Sequence, residues 1–250
     1  MYHARVALPM RTYRTTGRSL SLLRAFRQEQ ARPDAFYGPL ADDTVAIIEQ
    51  YADLDGAVVA DVGSGPAQFA EAFNRAGARY VGFEVDGHTL RLTENTAGAI
   101  ARGEQLPLAD NSIDVVISSN VLEHVPVPSA LADELMRVCR PGGLVFLSYT
   151  LWYGPWGGHE TSPWHFLGGH YAARRYERVH GRPPKNVFGE SMFAATMAQG
   201  LRWAEQQRAG EVLFAGPRYA PWWFDPITAV PGLRELLGWN LLVLLRKHEA

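Results

Sequence analysis

The sequence predicts an α/β fold in which a mostly parallel sheet carries helices on both faces. Short segments rich in valine and isoleucine alternate with segments whose apolar residues recur at helical spacing, from residue 57 to residue 150. A glycine-rich turn follows the first of these apolar segments at Gly63. With 47% hydrophobic and 20% charged residues, the composition is that of a globular protein, which excludes disordered and fibrous classes.

The elements up to residue 150 follow from apolar runs, caps and glycines. Short apolar runs that end at a turn are typical of buried parallel strands, and a proline at the start and a glycine at the end are typical of helices. We predict two helices within 19–51, a strand at 57–62, a helix from Pro66 to Gly77, a strand at 80–85, a weaker helix from His88, strands at 99–101 and 113–119, a helix capped by Ser129 and ended by Pro141-Gly142-Gly143, and a strand at 144–149. The carboxyl ends of such strands form a binding crevice.

After Thr150 the composition changes, and all seven tryptophans lie in this part of the chain. Residues 151–188 are rich in glycine, proline, tryptophan and histidine, which fits neither a strand nor a long helix. Long loops in compact domains are usually functional, so we expect a structured insertion over the crevice. Regular structure is predicted to resume with a helix at 191–207, a strand at 212–214, a short helical piece at 231–238 and a last strand at 240–246.

Charge and cysteine content limit the partners and the compartment. The formal net charge is −2, so there is no general attraction to nucleic acid. Cys139 is the single cysteine and cannot form an intrachain disulfide, which favours the cytoplasm. The longest clean apolar run, 241–245, is too short to span a membrane. Arginines are frequent before Glu29, which is the first acidic residue. This pattern fits either a targeting peptide or an amphipathic helix that packs on the rest of the domain with Leu20 on its apolar side.

The residues with the clearest chemistry are Asp61 and the glycine-rich loop Gly63-Ser64-Gly65. A dinucleotide fingerprint needs a small residue at its last position, where this chain has Gln68. A carboxylate at Asp61 would repel a pyrophosphate and favour a ligand that carries an ammonium and a sulfonium. Glu84, at the end of the second strand, is placed to accept hydrogen bonds from a ribose, and Asp86 is the alternative. A nucleoside with a positively charged amino-acid tail is S-adenosylmethionine.

Four sequence blocks carry a family resemblance: D-V-G-S-G-P from Asp61, G-F-E-V-D from Gly82, L-P-L-A-D-N-S-I-D-V-V-I-S-S-N-V-L-E-H-V from Leu106, and R-V-C-R-P-G-G-L-V from Arg137. In this order and spacing they resemble class I S-adenosylmethionine-dependent methyltransferases, most closely the group of small-molecule methyltransferase domains. The tract from Gly157 to Gly169 resembles one from an uncharacterised bacterial subgroup.

The resemblance implies a Rossmann-like, mostly parallel seven-stranded sheet with helices on both faces and an antiparallel last strand. We expect a single methyltransferase domain over 1–250. Its parts would be an N-terminal helical cap at 1–56, a cofactor-binding core at 57–150, an insertion rich in aromatic residues and histidine over the active site at 151–190, and the C-terminal part of the sheet at 191–250.

The resemblance also implies which residues bind S-adenosylmethionine. Asp61 and the glycine loop would hold the methionine end, Glu84 the ribose, and the residues after the fourth strand would face the cofactor. Arg102 stands where the family often has an aspartate that contacts adenine, so Gly103 or Glu104 is expected to take that contact. The expected cofactor-binding residues are Asp61, Gly63, Ser64, Gly65, Glu84, Val85, Gly103, Glu104, Ser119 and Asn120.

Methyl transfer to a hydroxyl or a carbon acid needs a base, and histidine has a suitable pKa. His124 follows the fourth strand and is either such a base or a packed core histidine. His159 and His165, with Glu160, form H-E-x-x-x-x-H, either a base with its orienter or part of the insertion's own core. Pro163 interrupts any helix there, so a zinc motif is not expected.

The other histidines are expected to have less direct roles. His3, His88 and His248 are predicted at the surface. His170 and His180 lie among arginines, which fits either recognition of an anionic substrate group or a solvated basic helix.

The sequence therefore predicts a cytoplasmic enzyme that transfers a methyl group from S-adenosylmethionine to a small or lipid-like acceptor, at oxygen or carbon. The alternatives are an NAD(P)-dependent oxidoreductase and a non-catalytic protein that binds S-adenosylmethionine. Nucleic acid is not an expected acceptor, because the chain has Ser119-Asn120-Val121-Leu122 where an amine-positioning tetrapeptide would stand. No metal is expected, and the oligomeric state is left open.

Overall fold

The computed structural model describes residues 8–27, 32, 34–93 and 96–249. Within them the α-helices are α1 (Leu8–Tyr13), α2 (Thr16–Phe26), α3 (Asp34–Ile48), α4 (Ala70–Arg75), α5 (Pro128–Val138), α6 (Gly169–His180), α7 (Met197–Gln206) and α8 (Leu233–Leu237). The strands are β1 (Val58–Val62), β2 (Arg79–Glu84), β3 (Ala97–Ile100), β4 (Ile113–Ser119), β5 (Cys139–Thr150), β6 (Gly210–Pro217) and β7 (Asn240–Lys247). Short 3₁₀ helices cover Leu122–His124, His159–Thr161, Trp164–Leu167 and Trp222–Ala229. None of these helices is long and apolar enough to cross a bilayer.

The strands form one seven-stranded sheet in the order β3-β2-β1-β4-β5-β7-β6. Strands β1 to β5 pair in parallel, and β7 is antiparallel to both of its neighbours, β5 and β6. This arrangement confirms the predicted fold class, including the antiparallel last strand. The order reverses between β1 and β4, and the crevice at the carboxyl ends of these two strands is the usual ligand site of open α/β sheets.

Alternate residues of the central strands enter two separate cores, one on each face of the sheet. In β4, Val115 and Ile117 pack with the core that contains α2, α3 and α4, whereas Val116 packs with the core that contains α5 and α7. The period-two alternation of a strand sends successive side chains to opposite faces. Because both faces are covered, the strand segments are apolar throughout, and this is the pattern that identified them in the sequence.

The N-terminal helices are fastened to the end of β6 by buried arginines. Arg14 is completely buried and forms an ion pair with Asp225 at 2.7 Å. Its guanidinium also donates to the carbonyl oxygen of Pro217 at 2.7 Å. Arg18 makes a two-pronged contact with the Asp43 carboxylate of α3, at 2.6 and 2.7 Å. Arg14 and Arg18 therefore hold the N-terminal helices to the rest of the domain by buried ion pairs and hydrogen bonds. Arg5 and Glu29, from the same basic stretch, lie outside the described residues.

Two predicted helices differ from the structure near the glycine loop. The helix expected from Pro66 begins only at Ala70, because Ala67 has a φ of +60° and interrupts the helical backbone. Gly77 does end the segment with a φ of +82°. The weaker helix expected from His88 is absent from the described residues there, where the chain forms a turn instead.

Later boundaries differ as well. Strand β5 begins at Cys139, so the Pro-Gly-Gly sequence lies within the strand instead of ending a helix before it. The helix expected from Ser191 begins at Met197, since Thr196 forms a capping box with Gln199. The insertion contains the twelve-residue helix α6, which its glycine and proline content concealed.

Candidate active site

The glycine loop after β1 is held against β2 and packs closely on the segment after β4. Gly63 and Gly65 have φ values of +78° and +54°, which glycine adopts without strain. The N–H groups of Gly63 and Ser64 donate to the carbonyl oxygen of Phe83 at 2.8 and 3.1 Å. A Cβ atom at Gly63 would lie 2.3 Å from a methyl group of Val121. Only glycine therefore fits at position 63 without displacing its neighbours.

Asp61 is a buried carboxyl group at the end of β1, with 3% of its surface exposed. The Tyr80 hydroxyl donates a hydrogen bond to Asp61 Oδ2 at 2.6 Å. Burial raises the pKa of Asp61 to about 7, the Glu84 charge raises it further, and the Tyr80 hydrogen bond opposes the shift. Asp61 is therefore poised between its neutral and charged forms near neutral pH.

Glu84 links the glycine loop to the end of β2. Its two carboxylate oxygens accept hydrogen bonds from the N–H groups of Gly65 at 2.9 Å and Val85 at 2.8 Å. Asp86 is exposed and accepts from the Thr89 hydroxyl in its own turn, at 2.7 Å. Of the two acids weighed for the ribose, Glu84 is the one fixed beside the glycine loop.

The loop after β3 brings Gly103 and Glu104 to the same edge of the sheet. The N–H of Ala101 donates to the carbonyl oxygen of Glu84 at 3.0 Å, which ties this loop to β2. Gly103 packs so closely on α5 that a Cβ atom there would lie 2.6 Å from Leu131. Arg102 is exposed. The loop that carries Gly103 and Glu104 is thus tied to the end of β2 through Ala101.

Ser119 and Asn120, at the end of β4, are both engaged with other strands. The Ser119 hydroxyl accepts from the Arg218 guanidinium at 2.8 Å. The N–H of Asn120 donates to the Ser148 carbonyl oxygen at 2.8 Å, and its side-chain oxygen accepts from Asn240 Nδ2 at 2.7 Å. Asn120 has a φ of +59° and turns the chain away from the sheet. It therefore connects the carboxyl end of β4 to the start of β7.

His124 and His159 are brought together, with Glu123 beside them. Their rings meet edge to face with centroids 5.3 Å apart, and the possible ligand atoms of the three side chains all lie within 4.8 Å of one another. His124 Nδ1 lies 2.7 Å from the Ser191 carbonyl oxygen. Burial lowers the pKa of His159 to about 4 and raises the pKa of Glu123. We call Glu123, His124 and His159 the histidine cluster.

His165 lies elsewhere in the insertion, inside its aromatic core. It is 1% exposed, its Nε2 lies 3.2 Å from the Gly154 carbonyl oxygen, and its ring packs on Trp152 with centroids 5.3 Å apart. Glu160 does not orient His159 by a hydrogen bond and instead accepts from the backbone and side-chain amides of Asn186 at 2.8 and 2.9 Å. The structure thus separates the three residues of H-E-x-x-x-x-H.

The other histidines and the basic helix lie at the surface of the described chain. His88, His170, His180 and His248 are exposed, and His3 lies outside the described residues. The Arg175 guanidinium of α6 lies over the Trp164 ring, 3.9 Å from its centroid. These groups make no contact with the histidine cluster in the hydrogen bonds and ion pairs of the described residues.

An apolar cleft of about 330 Å³ lies between α2, the insertion and the segment after β6. Its walls include Leu20, Leu23, Trp156, Tyr219, Trp223 and Trp239. Asn240, which donates to Asn120, also lines this cleft. The N–H of His159 donates to the Trp156 carbonyl oxygen at 2.9 Å. Two residues of the cleft wall, Asn240 and Trp156, are therefore hydrogen-bonded to Asn120 and His159.

Sequence reasoning missed three residues of this region. Glu123 stands in an apolar run directly after a buried strand, and an acid in that setting is a signal for a buried carboxylate that could have been used. Arg218 is completely buried and is held by the hydroxyls of Ser119, Ser148 and Thr44. For Arg218 and for Asn240 the sequence carries no signal, since their neighbours come from distant strands.

Comparison with known proteins identifies the family. A methyltransferase domain family matches residues 60–147, which span β1 to β5. An uncharacterized methyltransferase of Mycolicibacterium vanbaalenii is 50% identical over 244 residues, covering 93% of this chain and 95% of that protein. One from Mycobacteroides abscessus is 51% identical over 247 residues with the same coverage.

Solved structures show the same fold at low sequence identity. An S-adenosylmethionine-dependent methyltransferase from Mesorhizobium loti aligns with a TM-score of 0.56 and 18% identity, over 82% of this chain and 98% of that one. The [4+2]-cyclase SpnF aligns with a TM-score of 0.53 and 16% identity, over 84% of this chain and 82% of that one. The second likeness shows that this fold alone does not fix the reaction. With half of its residues shared with named methyltransferases over nearly its whole length, the chain belongs to the class I S-adenosylmethionine-dependent methyltransferases.

Proposed function

We propose that this enzyme transfers the methyl group of S-adenosylmethionine to an apolar, small or lipid-like acceptor, at oxygen or carbon. The observation that carries the acceptor class is the cleft of about 330 Å³ with aromatic and aliphatic walls. A cleft of this kind buries most of a small apolar ligand and uses few polar groups to orient it. We further propose that residues 1–250 act as one domain in the cytoplasm and that nucleic acid is not a partner.

For the cofactor we propose that the methionine end lies at the glycine loop. The carboxyl group of Asp61, the turn Gly63-Ser64-Gly65 and the residues Ser119 and Asn120 belong to the carboxyl ends of β1 and β4, where the strand order reverses. An ammonium group beside the buried Asp61 would stabilise its charged form. We assign the ribose to Glu84 with Val85, and the adenine to Gly103 and Glu104, because the Ala101 hydrogen bond ties the loop after β3 to the Glu84 backbone.

For the acceptor we propose entry over the apolar rim of the cleft. Leu20, Trp223 and Leu237 line the cleft and are 46%, 55% and 53% exposed. Large apolar side chains exposed together around a cleft are typical of a surface that meets an apolar ligand. At Asn240, the side-chain Oδ1 is buried and has no hydrogen-bond partner among the described residues. It is thus available to a polar end of the acceptor.

We propose that the acceptor atom is deprotonated at the histidine cluster. The sequence predicts His124, His159 and His165 as candidate bases. Of these, His124 and His159 lie close together beside Glu123. His165 is occupied by the Gly154 carbonyl oxygen and Trp152, which supports a positioning role for it within the insertion. In-line methyl transfer itself requires alignment and a dry site, which the insertion would supply.

Calorimetric titration of the purified protein with S-adenosylmethionine, S-adenosylhomocysteine, NAD and NADP tests the cofactor. We expect binding of the first two only. Mass-spectrometric detection of methylated products from a panel of apolar phenols, hydroxy fatty acids and prenylated quinols then tests the acceptor class. Binding of a nicotinamide alone would contradict the proposed cofactor and favour the oxidoreductase alternative. Binding of S-adenosylmethionine without any methylated product across broad panels would favour the non-catalytic one.

Replacing Glu84 with alanine is expected to weaken S-adenosylmethionine binding by about 1.5–3 kcal/mol, because hydrogen bonds between hydroxyls and a charged group are lost. The same change also releases the N–H groups of Gly65 and Val85, which loosens the glycine loop. The matched control is Asp86→Asn, in the exposed turn two residues away, which should leave the dissociation constant unchanged. A stronger effect of the Asp86 substitution would move the ribose to that carboxylate.

A further inference from the structure

The histidine cluster has the composition and geometry of a metal site. Glu123, His124 and His159 offer one carboxylate and two imidazoles whose ligand atoms all lie within 4.8 Å of one another. We infer that these three residues bind a divalent transition-metal ion such as Zn²⁺. Two imidazoles with a carboxylate suit Zn²⁺, Co²⁺ or Fe²⁺, whereas Mg²⁺ and Ca²⁺ favour sites made of oxygen atoms alone.

Unsatisfied atoms inside the cluster point to a ligand. Glu123 is 2% exposed, and its Oε1 accepts from the Thr150 N–H at 2.9 Å. Its Oε2 is buried without a hydrogen-bond partner among the described residues, and the same holds for His159 Nε2. A buried carboxylate oxygen and a buried imidazole nitrogen are costly to leave unpaired. One cation between them would satisfy both.

Outer hydrogen bonds orient two of the three ligands. The Ser191 carbonyl oxygen can only accept, so His124 Nδ1 is the donor at this 2.7 Å contact and Nε2 is the nitrogen left for a metal ion. Histidines that bind metals commonly donate their other nitrogen to a carbonyl or a carboxylate in this way. The Thr150 N–H fixes the Glu123 carboxylate in the same manner.

The cluster joins two segments that are distant in the sequence. Glu123 and His124 lie in the 3₁₀ helix directly after β4, whereas His159 lies in the insertion. An ion at this point would tie the insertion to the cofactor edge of the sheet. His159 has a φ of +48°, a conformation that few residues other than glycine adopt, so the insertion holds this side chain at some cost in backbone energy.

Three protein ligands leave a coordination position open, as in catalytic zinc sites. On the proposed function, that position would take the acceptor hydroxyl, and coordination would lower the pKa of the hydroxyl so that its proton passes to water. The oxygen would then take the methyl group, and S-adenosylhomocysteine would leave. Nitrogens bound to a metal cannot accept a proton at the same time. The metal site therefore replaces direct proton transfer to His124 or His159 as the role of the cluster.

Metal binding can be measured without any acceptor. Tag-free protein is stripped with a chelator and titrated with ZnCl₂ by calorimetry, and with Co²⁺ by visible absorption, which reports the ligand geometry. We expect one equivalent per chain. His159→Ala and Glu123→Gln should each weaken Zn²⁺ binding by at least about tenfold. His180→Ala, at an exposed histidine of α6, should bind like the parent protein, and thermal unfolding of each variant establishes that it is folded.

Equal Zn²⁺ affinity of the folded His159→Ala and parent proteins, or absence of stoichiometric binding, would overturn the metal site. These results are separable from the proposed function. A protein that binds S-adenosylmethionine and forms methylated products but takes up no Zn²⁺ contradicts only the metal inference. One that binds Zn²⁺ through the cluster but not S-adenosylmethionine contradicts only the proposed function.

Discussion

Replacing Arg14 with methionine is expected to lower the free energy of unfolding by about 3–5 kcal/mol, because the change leaves the buried Asp225 carboxylate without its partner. The guanidinium is completely buried, forms the ion pair with Asp225 at 2.7 Å, and donates to the carbonyl oxygens of Pro217 and Ala220 at 2.7 and 2.9 Å. It also lies 4.6 Å from the ring centroid of Phe214. Urea unfolding followed by circular dichroism measures the effect.

The loss should depend on pH. Burial raises the pKa of Asp225, and removing the Arg14 charge raises it further. An acid with a raised pKa in the folded state takes up a proton more readily when folded, so its contribution to stability grows as the pH falls. The destabilisation by Arg14→Met should therefore be smaller at pH 5 than at pH 8.

Arg75→Met is the matched control. Arg75 also forms ion pairs, with Asp42 and Glu71, but its side chain is 54% exposed. Exposed ion pairs contribute little, so this change should alter stability by less than about 1 kcal/mol. Similar losses in the free energy of unfolding for the two variants would contradict the conclusion that Arg14 holds the N-terminal helices to the rest of the domain.

The strands were predictable from the sequence because their physics is local. The segment 113–119 is apolar on both faces and bounded by polar residues, and the structure places β4 at Ile113–Ser119. The helix after the glycine loop was harder, because one backbone angle decides where it begins. The positive φ of Ala67 delays α4 by four residues, from Pro66 to Ala70.

The candidate site divides in the same way. Asp61, the glycine loop and Glu84 follow the strands in the sequence, so their meeting at one edge of the sheet was predictable. The pairing of His124 with His159 was not, because it depends on how a 38-residue insertion folds back. The same applies to Arg218, whose hydroxyl partners come from α3, β4 and β5. Contacts between distant segments leave no periodic signal.

The affinity for S-adenosylmethionine is expected to fall about tenfold for each pH unit below 7, because in the proposed binding mode the ammonium group of the cofactor binds the charged form of Asp61. The pKa of Asp61 is raised to about 7, so the carboxyl is mostly neutral at pH 5 and must lose its proton for the complex to form. An α-amino group has a pKa of about 8, so the ligand keeps its positive charge over this range. Calorimetry in buffers of different ionisation enthalpy should show proton release on binding.

Two variants and one stability measurement separate this effect from unfolding. Asp61→Asn should bind weakly and without pH dependence between pH 5 and 7. Tyr80→Phe removes the 2.6 Å hydrogen bond that favours the carboxylate, so the midpoint of the affinity curve should move to higher pH. Since the pKa of Asp61 is higher in the folded chain than in the unfolded one, this group stabilises the free protein as the pH falls from 7 towards 4. As the pH falls from 7 towards 4, the affinity for S-adenosylmethionine should therefore fall while the Asp61 contribution to stability grows. If the parent protein lost affinity and stability together, Asp61 would not be the cause of the weaker binding.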